Sequence, residues 1–273
     1  MREQEQQRAE PTVLALDTST ASMAAALLRG GEIAGSVQSL AERNHSVLTV
    51  PKLKALLDEC GVEPEELDGI AIGKGPGSYT GMRIAVTVGK TLAWAWQKPV
   101  VGISSLEALA YGARMAAAAH DPDCTSDWFI PIMDARRGQV YTALFAARPD
   151  GSWERKAHDG IRLMRQWIDQ LAERLDDMGA GKHRLWLTGD LSLHEQEAAR
   201  LQELAAQAAS QNVAVSLFPF AMEGAAVARL GAERLLRGER DETHLFVPNY
   251  TQLAEAEVKL KEKLAEGKGV ERS

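Results

Sequence analysis

The residues that most resemble a ligand-binding motif form a glycine-rich block at 73–83, GKGPGSYTGMR. The block separates a short apolar segment from a longer one, which predicts a junction between a strand and a helix. Glycines at such a junction allow backbone N–H groups to approach a phosphate. A Walker A loop, however, requires G-x-x-x-x-G-K-[ST], and Gly89-Lys90-Thr91 supplies only its end because Ile84 replaces the first glycine. The sequence therefore disfavours a phosphate loop here.

The helix predicted at about 80–96 carries small residues at every fourth position, namely Gly81, Ala85, Gly89 and Ala93. These positions share one face of the helix. Because a glycine inside a helix costs about 1 kcal/mol relative to alanine, the two glycines indicate that another backbone approaches closely. That backbone belongs either to a partner subunit or to the same chain. The bulky residues expected to cover the sheet from the other side of the helix are Ile84, Val88, Leu92 and Trp96.

A second set of polar residues follows two segments that are predicted to be strands ending in aspartate. Asp17-Thr18-Ser19 begins the first turn, and Asp134 begins the second. A carboxylate can hold a metal ion, while small residues let backbone N–H groups reach a phosphate. If the two turns face each other, these four residues line a vestigial cofactor cleft. The second turn fits less well, since the bulky pair Arg136-Arg137 keeps a phosphate away from the backbone.

The histidine and cysteine spacing predicts no metal site. A helical pair of metal ligands needs a second ligand one turn after the first, and the residue four positions after His45 is Thr49. His45 is expected to be a cap or an interface residue. Cys60 and Cys124 lack C-x-x-C spacing, so we expect reduced thiols. No order of nucleophile and base typical of a hydrolase is recognisable.

The elements that position these residues are predicted twice in the same order, βββ-α-β-α-β-α. We therefore expect an α/β fold of two ribonuclease-H-like lobes, each with a mixed sheet, as in the actin, sugar-kinase and Hsp70 class. The similarity of WFIPIMDARRGQVYTALF to TVLALDTSTASMAAALL supports a duplication. The expected organisation is a disordered tail at 1–11, an N-terminal lobe at 12–108 completed by a helix at about 222–237, a C-terminal lobe at 109–221, and an extension and tail at 238–273.

Composition excludes several classes of protein. The 273 residues are 45% apolar and 25% charged, as in a globular protein, and the net charge of −7 argues against autonomous binding of nucleic acid. No apolar segment reaches the roughly 18 residues that span a bilayer, and the polar start lacks the apolar core of a signal peptide. We expect a cytoplasmic protein with no membrane contact.

Several blocks together resemble the TsaB family, also called YeaZ. They are ALDTST, RNHSVLTVPKL, IAIGKGPGSYTGMRIAVTVGKTLA, GISSLEALA and DARRGQVYTALF, and they span residues 12–146. Beyond residue 150 the resemblance rests on element order, with Leu187-Thr188-Gly189-Asp190 and Val247-Pro248-Asn249-Tyr250 as weaker matches. Relatives usually continue that tyrosine with Leu-Arg, whereas Thr251-Gln252 follows here.

The resemblance implies a non-catalytic subunit in the transfer of a threonylcarbamoyl group to adenosine 37 of tRNAs that read codons beginning with A. It implies pairing with the catalytic subunit TsaD through the amino-terminal lobe, recruitment of the ATPase TsaE, and a homodimer when free. ATP and a divalent metal are then expected in the partner subunits, with none tightly bound here, and tRNA only through the complex. The expected partner surface comprises His45, Leu48 and the small-residue face of the helix.

One other function stays open on the residues alone. The duplicated lobes and their paired aspartates also fit an independent ATPase or kinase that uses Asp17 and Asp134 across the cleft. A glycopeptidase activity, suggested by older family names, finds no supporting nucleophile and base.

Overall fold

A computed structural model describes residues 10–40, 45–117, 124–175, 178, 181–208 and 212–251. Of the tail predicted at 1–11 and the extension and tail predicted at 238–273, residues 1–9 and 252–273 lie outside the described residues. Within the described residues, no helix is both long and apolar enough to cross a membrane.

The first sheet has five strands in the order β3-β2-β1-β4-β5. Its first three strands are antiparallel, and β4 and β5 run parallel to β1. The elements in chain order are β1 Val13–Asp17, β2 Ser22–Arg29, β3 Glu32–Leu40, α1 His45–Cys60, β4 Gly69–Gly73, α2 Tyr79–Ala95 and β5 Val100–Ile103. The mixed sheet predicted for this lobe is confirmed.

The second sheet repeats this topology, with strand order β8-β7-β6-β9-β10. Again the first three strands are antiparallel and the last two are parallel to the central one. The remaining elements are α3 Ser105–Ala116, β6 Cys124–Asp134, β7 Gln139–Ala147, β8 Trp153–Leu163, α4 Met164–Glu173, β9 Lys182–Gly189, α5 Glu195–Gln207, β10 Val213–Pro219 and α6 Gly224–Leu236. The predicted two-lobe α/β fold is therefore confirmed, strand for strand.

Two helices, α3 and α6, lie between the sheets in one shared apolar core. Leu106 and Leu109 of α3 and Val227 of α6 are buried there together with Phe129 and Phe145 of the second sheet. Helices α1 and α2 cover the other face of the first sheet, and α4 and α5 cover the other face of the second. Because α3 spans the expected boundary at 108, the division into two lobes at that position stays a prediction.

One boundary differs from expectation at the start of α4. The sequence predicts a helix from about residue 161, but β8 continues through Leu163, with Ile161 paired to Tyr141 and Leu163 paired to Gln139. The long partner strand β7 holds these residues in the sheet through backbone hydrogen bonds, which outweigh their local helical pattern.

The segment after α6 runs along β5, the edge strand of the first sheet. Asp241 pairs with Val100 and accepts a hydrogen bond from the Gly102 N–H at 2.7 Å. Phe246 is buried in the core of the first lobe, and the Asn249 N–H donates to the Lys74 carbonyl at 2.7 Å. The extension therefore packs as an integral part of the first lobe.

Candidate functional site at the interlobe cleft

A cavity of about 850 Å³ opens between the two lobes. A volume of this size is typical of small-molecule sites. Its lining residues include, from the first lobe, Ser19, Ser78 and Tyr79, and from the second, Asp134, Arg136 and Phe220. Of the four residues predicted to bind a cofactor, Ser19 and Asp134 line the cavity, whereas Asp17 and Thr18 do not.

Asp17 lies at the end of β1 and is fully buried. Its Oδ1 accepts hydrogen bonds from the backbone N–H and the Oγ of Ser19, each at 2.6 Å, and its Oδ2 accepts one from Ser105 Oγ at 2.5 Å. Burial raises the pKa of this carboxyl, and the hydrogen bonds from the two serines partly oppose that shift. Asp17 therefore joins β1 to the start of α3 inside the lobe and is not a ligand in the open cleft.

Thr18 is also fully buried, and its hydroxyl is inserted into the first turn of α2. The Oγ1 donates to the Gly81 carbonyl at 2.6 Å and accepts from the Ala85 N–H at 3.1 Å. Gly81 and Ala85 are four residues apart, the spacing of a helical hydrogen bond, so the threonine hydroxyl stands between two groups that normally bond each other. The polar turn after β1 therefore fixes helix α2 to the sheet.

Replacing Thr18 with valine is expected to lower the free energy of unfolding by about 2 kcal/mol, because a buried N–H and a buried carbonyl lose their shared partner. Thr18→Ser keeps the hydroxyl and serves as the matched variant. Urea denaturation followed by circular dichroism measures both. Equal stabilities for the valine and serine variants would show that the inserted hydroxyl contributes nothing.

The glycine-rich block serves the same close packing. A Cβ on Gly77 would lie 2.5 Å from the Ser19 carbonyl oxygen, and one on Gly81 would overlap the Thr18 carbonyl oxygen. The Ser78 N–H donates to the Ser19 carbonyl at 2.7 Å, and the Ser78 side chain caps α2. Without side chains at these glycines, the start of α2 can lie directly against the turn after β1.

The small-residue face of α2 requires a correction. Gly81, Ala85, Gly89 and Ala93 are all buried within this chain, and a Cβ on Gly89 would overlap the side chain of Ile72 in β4. The face therefore packs on the sheet of its own lobe and is not available to a partner. The bulky residues that were expected to cover the sheet are half-buried: Ile84, Val88, Leu92 and Trp96. The last three pack against the core of the first lobe.

The other two residues of the expected partner surface belong to α1. Leu48 is half-buried, while the side chain of His45 lies outside the described part of the structure. Thr49, which stands where a second metal ligand would be needed, is buried. No group of three possible metal ligands occurs among the residues described.

Asp134 has a partner that the sequence did not indicate. Its Oδ1 lies 3.1 Å from Nε2 of His194, a buried residue at the start of α5, and its Oδ2 accepts from the Arg136 N–H at 3.1 Å. The two side chains are 60 residues apart and no local motif connects them. The position of Asp134 at the end of one parallel strand and His194 after the next was the one available signal.

The hairpin turn after Asp134 has an unusual backbone. Arg136, Arg137 and Gly138 have φ values of 66°, 55° and 71°, and the Gln139 N–H donates to the Arg136 carbonyl at 2.9 Å. Positive φ is disfavoured for residues other than glycine. Both arginine side chains are exposed. The turn therefore presents Arg136 to the cleft, with the exposed Arg137 next to it in the sequence.

Comparison with known proteins places this geometry in a family. A family model described as TsaD, tRNA N6-adenosine threonylcarbamoyltransferase, matches residues 31–260. The "tRNA threonylcarbamoyladenosine biosynthesis protein TsaB" of Bacillus subtilis (strain 168) is 37% identical over 248 residues, which cover 91% of this chain and 97% of that protein. The chain belongs to the TsaB (YeaZ) family. The solved structure "YeaZ from Pseudomonas aeruginosa" agrees with this TsaB-family fold at a TM-score of 0.64 and 26% identity, covering 88% of this chain and 99% of that one.

The TsaB family is related to TsaD, and the relation is visible in this chain. The tRNA N6-adenosine threonylcarbamoyltransferase of Anaeromyxobacter sp. (strain Fw109-5) is 31% identical over 184 residues, 62% of this chain and 50% of that protein. The TsaB-family chain therefore matches about half the length of such a transferase.

Proposed function

We propose that this chain acts in tRNA threonylcarbamoyladenosine biosynthesis as a non-catalytic subunit that activates TsaD by forming a heterodimer with it and recruits TsaE. The observation that supports the non-catalytic role is that the polar turn after β1 makes its hydrogen bonds within the chain. Asp17 forms hydrogen bonds with Ser19 and Ser105, and Thr18 forms them with α2. The relationship to the Bacillus subtilis protein supplies the pathway.

The polar side chains that line the cleft support the same proposal. Ser19 is 2% exposed and its hydroxyl donates to Asp17, so this hydroxyl is already engaged. Across the cleft, Asp134 is engaged with His194. An independent ATPase needs carboxylates free to hold a metal ion with its nucleotide, and these contacts disfavour that function.

The corrected partner surface is the outside of α1 and α2. Val47 of α1 is 70% exposed and Trp94 of α2 is 63% exposed. Large exposed apolar side chains, tryptophan above all, are typical of the centre of protein interfaces. The buried small-residue face still contributes, since it sets how closely α2 lies on the sheet and hence the shape of this outer surface.

The deciding experiment reconstitutes tRNA modification from purified TsaD, TsaE and this chain, with ATP, magnesium, tRNA and an activated threonylcarbamoyl donor supplied. We expect modification of adenosine-37 tRNA only when the chain is present, and no ATP turnover by the chain alone with magnesium. Calorimetric titration with ATP and magnesium checks the alternative: turnover by the isolated chain that disappears in Asp134→Ala would replace the scaffold with an ATPase.

The interface is tested with single charge substitutions. Trp94→Asp is expected to weaken association with TsaD by about 30-fold or more, the roughly 2 kcal/mol typical of a central interface residue. Val47→Asp is expected to act in the same direction. Leu193→Asp is the matched control, because Leu193 is 72% exposed but lies in the second lobe. Association is measured by calorimetry and folding by thermal denaturation. Equal affinity for all three variants would place the interface elsewhere.

A further inference from the structure

We propose that the rim of the interlobe cleft is a binding site for single-stranded RNA, formed by the Arg136-Arg137 turn on one side and the Tyr79–Tyr250 pair on the other. This inference rests on the proposed function, in that tRNA is the substrate of the complex. It adds that this chain contacts the RNA itself. Tyr79 and Arg136 line the same cavity of about 850 Å³, so the two sides face one ligand.

The first argument is the backbone of the arginine turn. A hairpin turn of this kind takes positive φ at its central residues, for which asparagine and glycine are the usual choices. Here the central residues are Arg137 and Gly138, so an arginine takes one of the two central positions. Arg137 and the preceding Arg136 adopt φ values of 55° and 66°, at a cost of about 1 kcal/mol or more each. Backbone strain of this type concentrates at binding sites. The strained positions carry the two side chains best suited to phosphate.

The second argument is that these side chains are available. Both are exposed, and among the described residues neither guanidinium group has a hydrogen bond or an ion pair. By contrast, most arginines of the second lobe are engaged; Arg155, for example, pairs with Glu107 at 2.6 Å. Within the described residues, the nearby carboxylates do not pair with these guanidinium groups: Asp134 contacts His194 and the backbone N–H of Arg136, and Asp190 accepts from Ser192.

The third argument is the aromatic pair across the cleft. Tyr79 is 52% exposed and Tyr250 is 46% exposed, and their ring centroids lie 5.4 Å apart. The guanidinium of Arg83 lies 5.4 Å from the Tyr79 ring centroid. Exposed aromatic rings beside arginines are how proteins hold unpaired bases, by stacking the base and contacting its phosphates.

These features favour single-stranded RNA over a duplex or an acidic protein. Stacking on tyrosine requires bases that are not already stacked in a helix. The cleft also presents serine and threonine hydroxyls, including Ser78 and Thr80, which suit the 2′-hydroxyl and the base edges. An acidic peptide would use the arginines but leave the tyrosine pair without a role.

The test uses the double variant Arg136→Gly/Arg137→Gly, which removes both guanidinium groups and keeps a backbone that glycine adopts readily. Its thermal stability is expected to equal or exceed that of the wild-type chain. The probe is a synthetic RNA stem–loop with an unpaired adenosine in its loop, and affinity is measured by fluorescence anisotropy over a series of salt concentrations. Loss of two phosphate contacts should weaken binding and reduce the slope of log affinity against log salt by about two.

The matched control is Arg148→Gln/Arg165→Gln, which removes the same charge from exposed positions outside the cleft. Tyr79→Ala completes the set and is expected to remove the preference for the stem–loop over a blunt RNA duplex. Equal loss of RNA affinity in both double variants would overturn the inference in favour of general charge attraction.

Binding is measured for the chain alone and with TsaD, so that the two proposals fail separately. Failure of the wild-type chain to associate with TsaD contradicts the proposed function. Unchanged RNA affinity in the glycine double variant contradicts the RNA site, and if association with a protein subunit is lost instead, the rim is a protein-binding surface.

Discussion

A Gly81→Ala variant is expected to lose about 3 kcal/mol of unfolding free energy, an effect at the upper end of those caused by overpacking. The added methyl group would overlap the carbonyl oxygen of Thr18, which is backbone and cannot rotate away. Moving α2 outward to relieve the overlap also breaks the contacts of the inserted Thr18 hydroxyl.

The sign of this effect is diagnostic. If Gly81 lay on an exposed helix face, alanine would stabilise the helix by about 1 kcal/mol. Thr80→Ala, at the exposed neighbouring position, provides the control and is expected to change stability little. Thermal and urea denaturation of both variants measure the difference. A Gly81→Ala protein as stable as the wild-type chain would refute the close packing of α2 on the first turn.

Asp17→Ala is expected to have a still larger effect, about 4 kcal/mol, because several buried donors lose their acceptor at once and each costs about 1–3 kcal/mol. The groups left without a partner are the Ser19 N–H and the hydroxyls of Ser19 and Ser105. Asp17→Asn retains one acceptor oxygen and the side-chain volume. At acidic pH it should therefore lose less unfolding free energy than Asp17→Ala.

The pH dependence of Asp17→Asn separates charge from hydrogen bonding. Burial raises the pKa of Asp17 in the folded chain above its ordinary value of 3.8, so the folded state binds the proton more tightly than the unfolded state. The stability that this carboxyl provides is complete below the ordinary value and is lost as pH rises through the raised value. Asparagine does not titrate. The stability of Asp17→Asn relative to the wild-type chain should therefore improve as pH rises.

Urea denaturation of the wild-type chain, Asp17→Asn and Asp17→Ala at several pH values upward from the ordinary value of 3.8 measures the difference directly. Other titrating groups contribute equally to the wild-type chain and Asp17→Asn, so they cancel. A relative stability that stays constant with pH, or that falls as pH rises, would mean that the carboxyl is not held in a destabilising environment.

The sequence predicted the architecture well because the fold depends on patterns that are local and repeated. Strand, turn and helix signals recur in the same order in both halves, and a duplication of that kind restricts the topology strongly. Where prediction failed locally, as at Ile161, the deciding interaction was pairing with β7, a strand about 20 residues earlier in the sequence.

The candidate site was predicted less well, because residue type does not reveal which way a side chain points. The spacing of Gly81 and Gly89 correctly indicated close backbone approach, yet that backbone belongs to the same lobe. Asp17 and Asp134 both end central strands, but the first is buried by α3 and the second reaches the cleft. Such differences arise from packing between distant elements.

The segment that follows α6 has a consequence for how copies of this chain can assemble. An uncovered edge strand offers its peptide groups to strands of other molecules. At β5 this pairing is blocked, because Asp241 forms a bridge with Val100 and accepts a hydrogen bond from the Gly102 N–H. Phe246 is buried beside these residues. Growth of the first sheet into a continuous intermolecular sheet is thereby blocked at this edge, and association there must proceed through helix and loop surfaces.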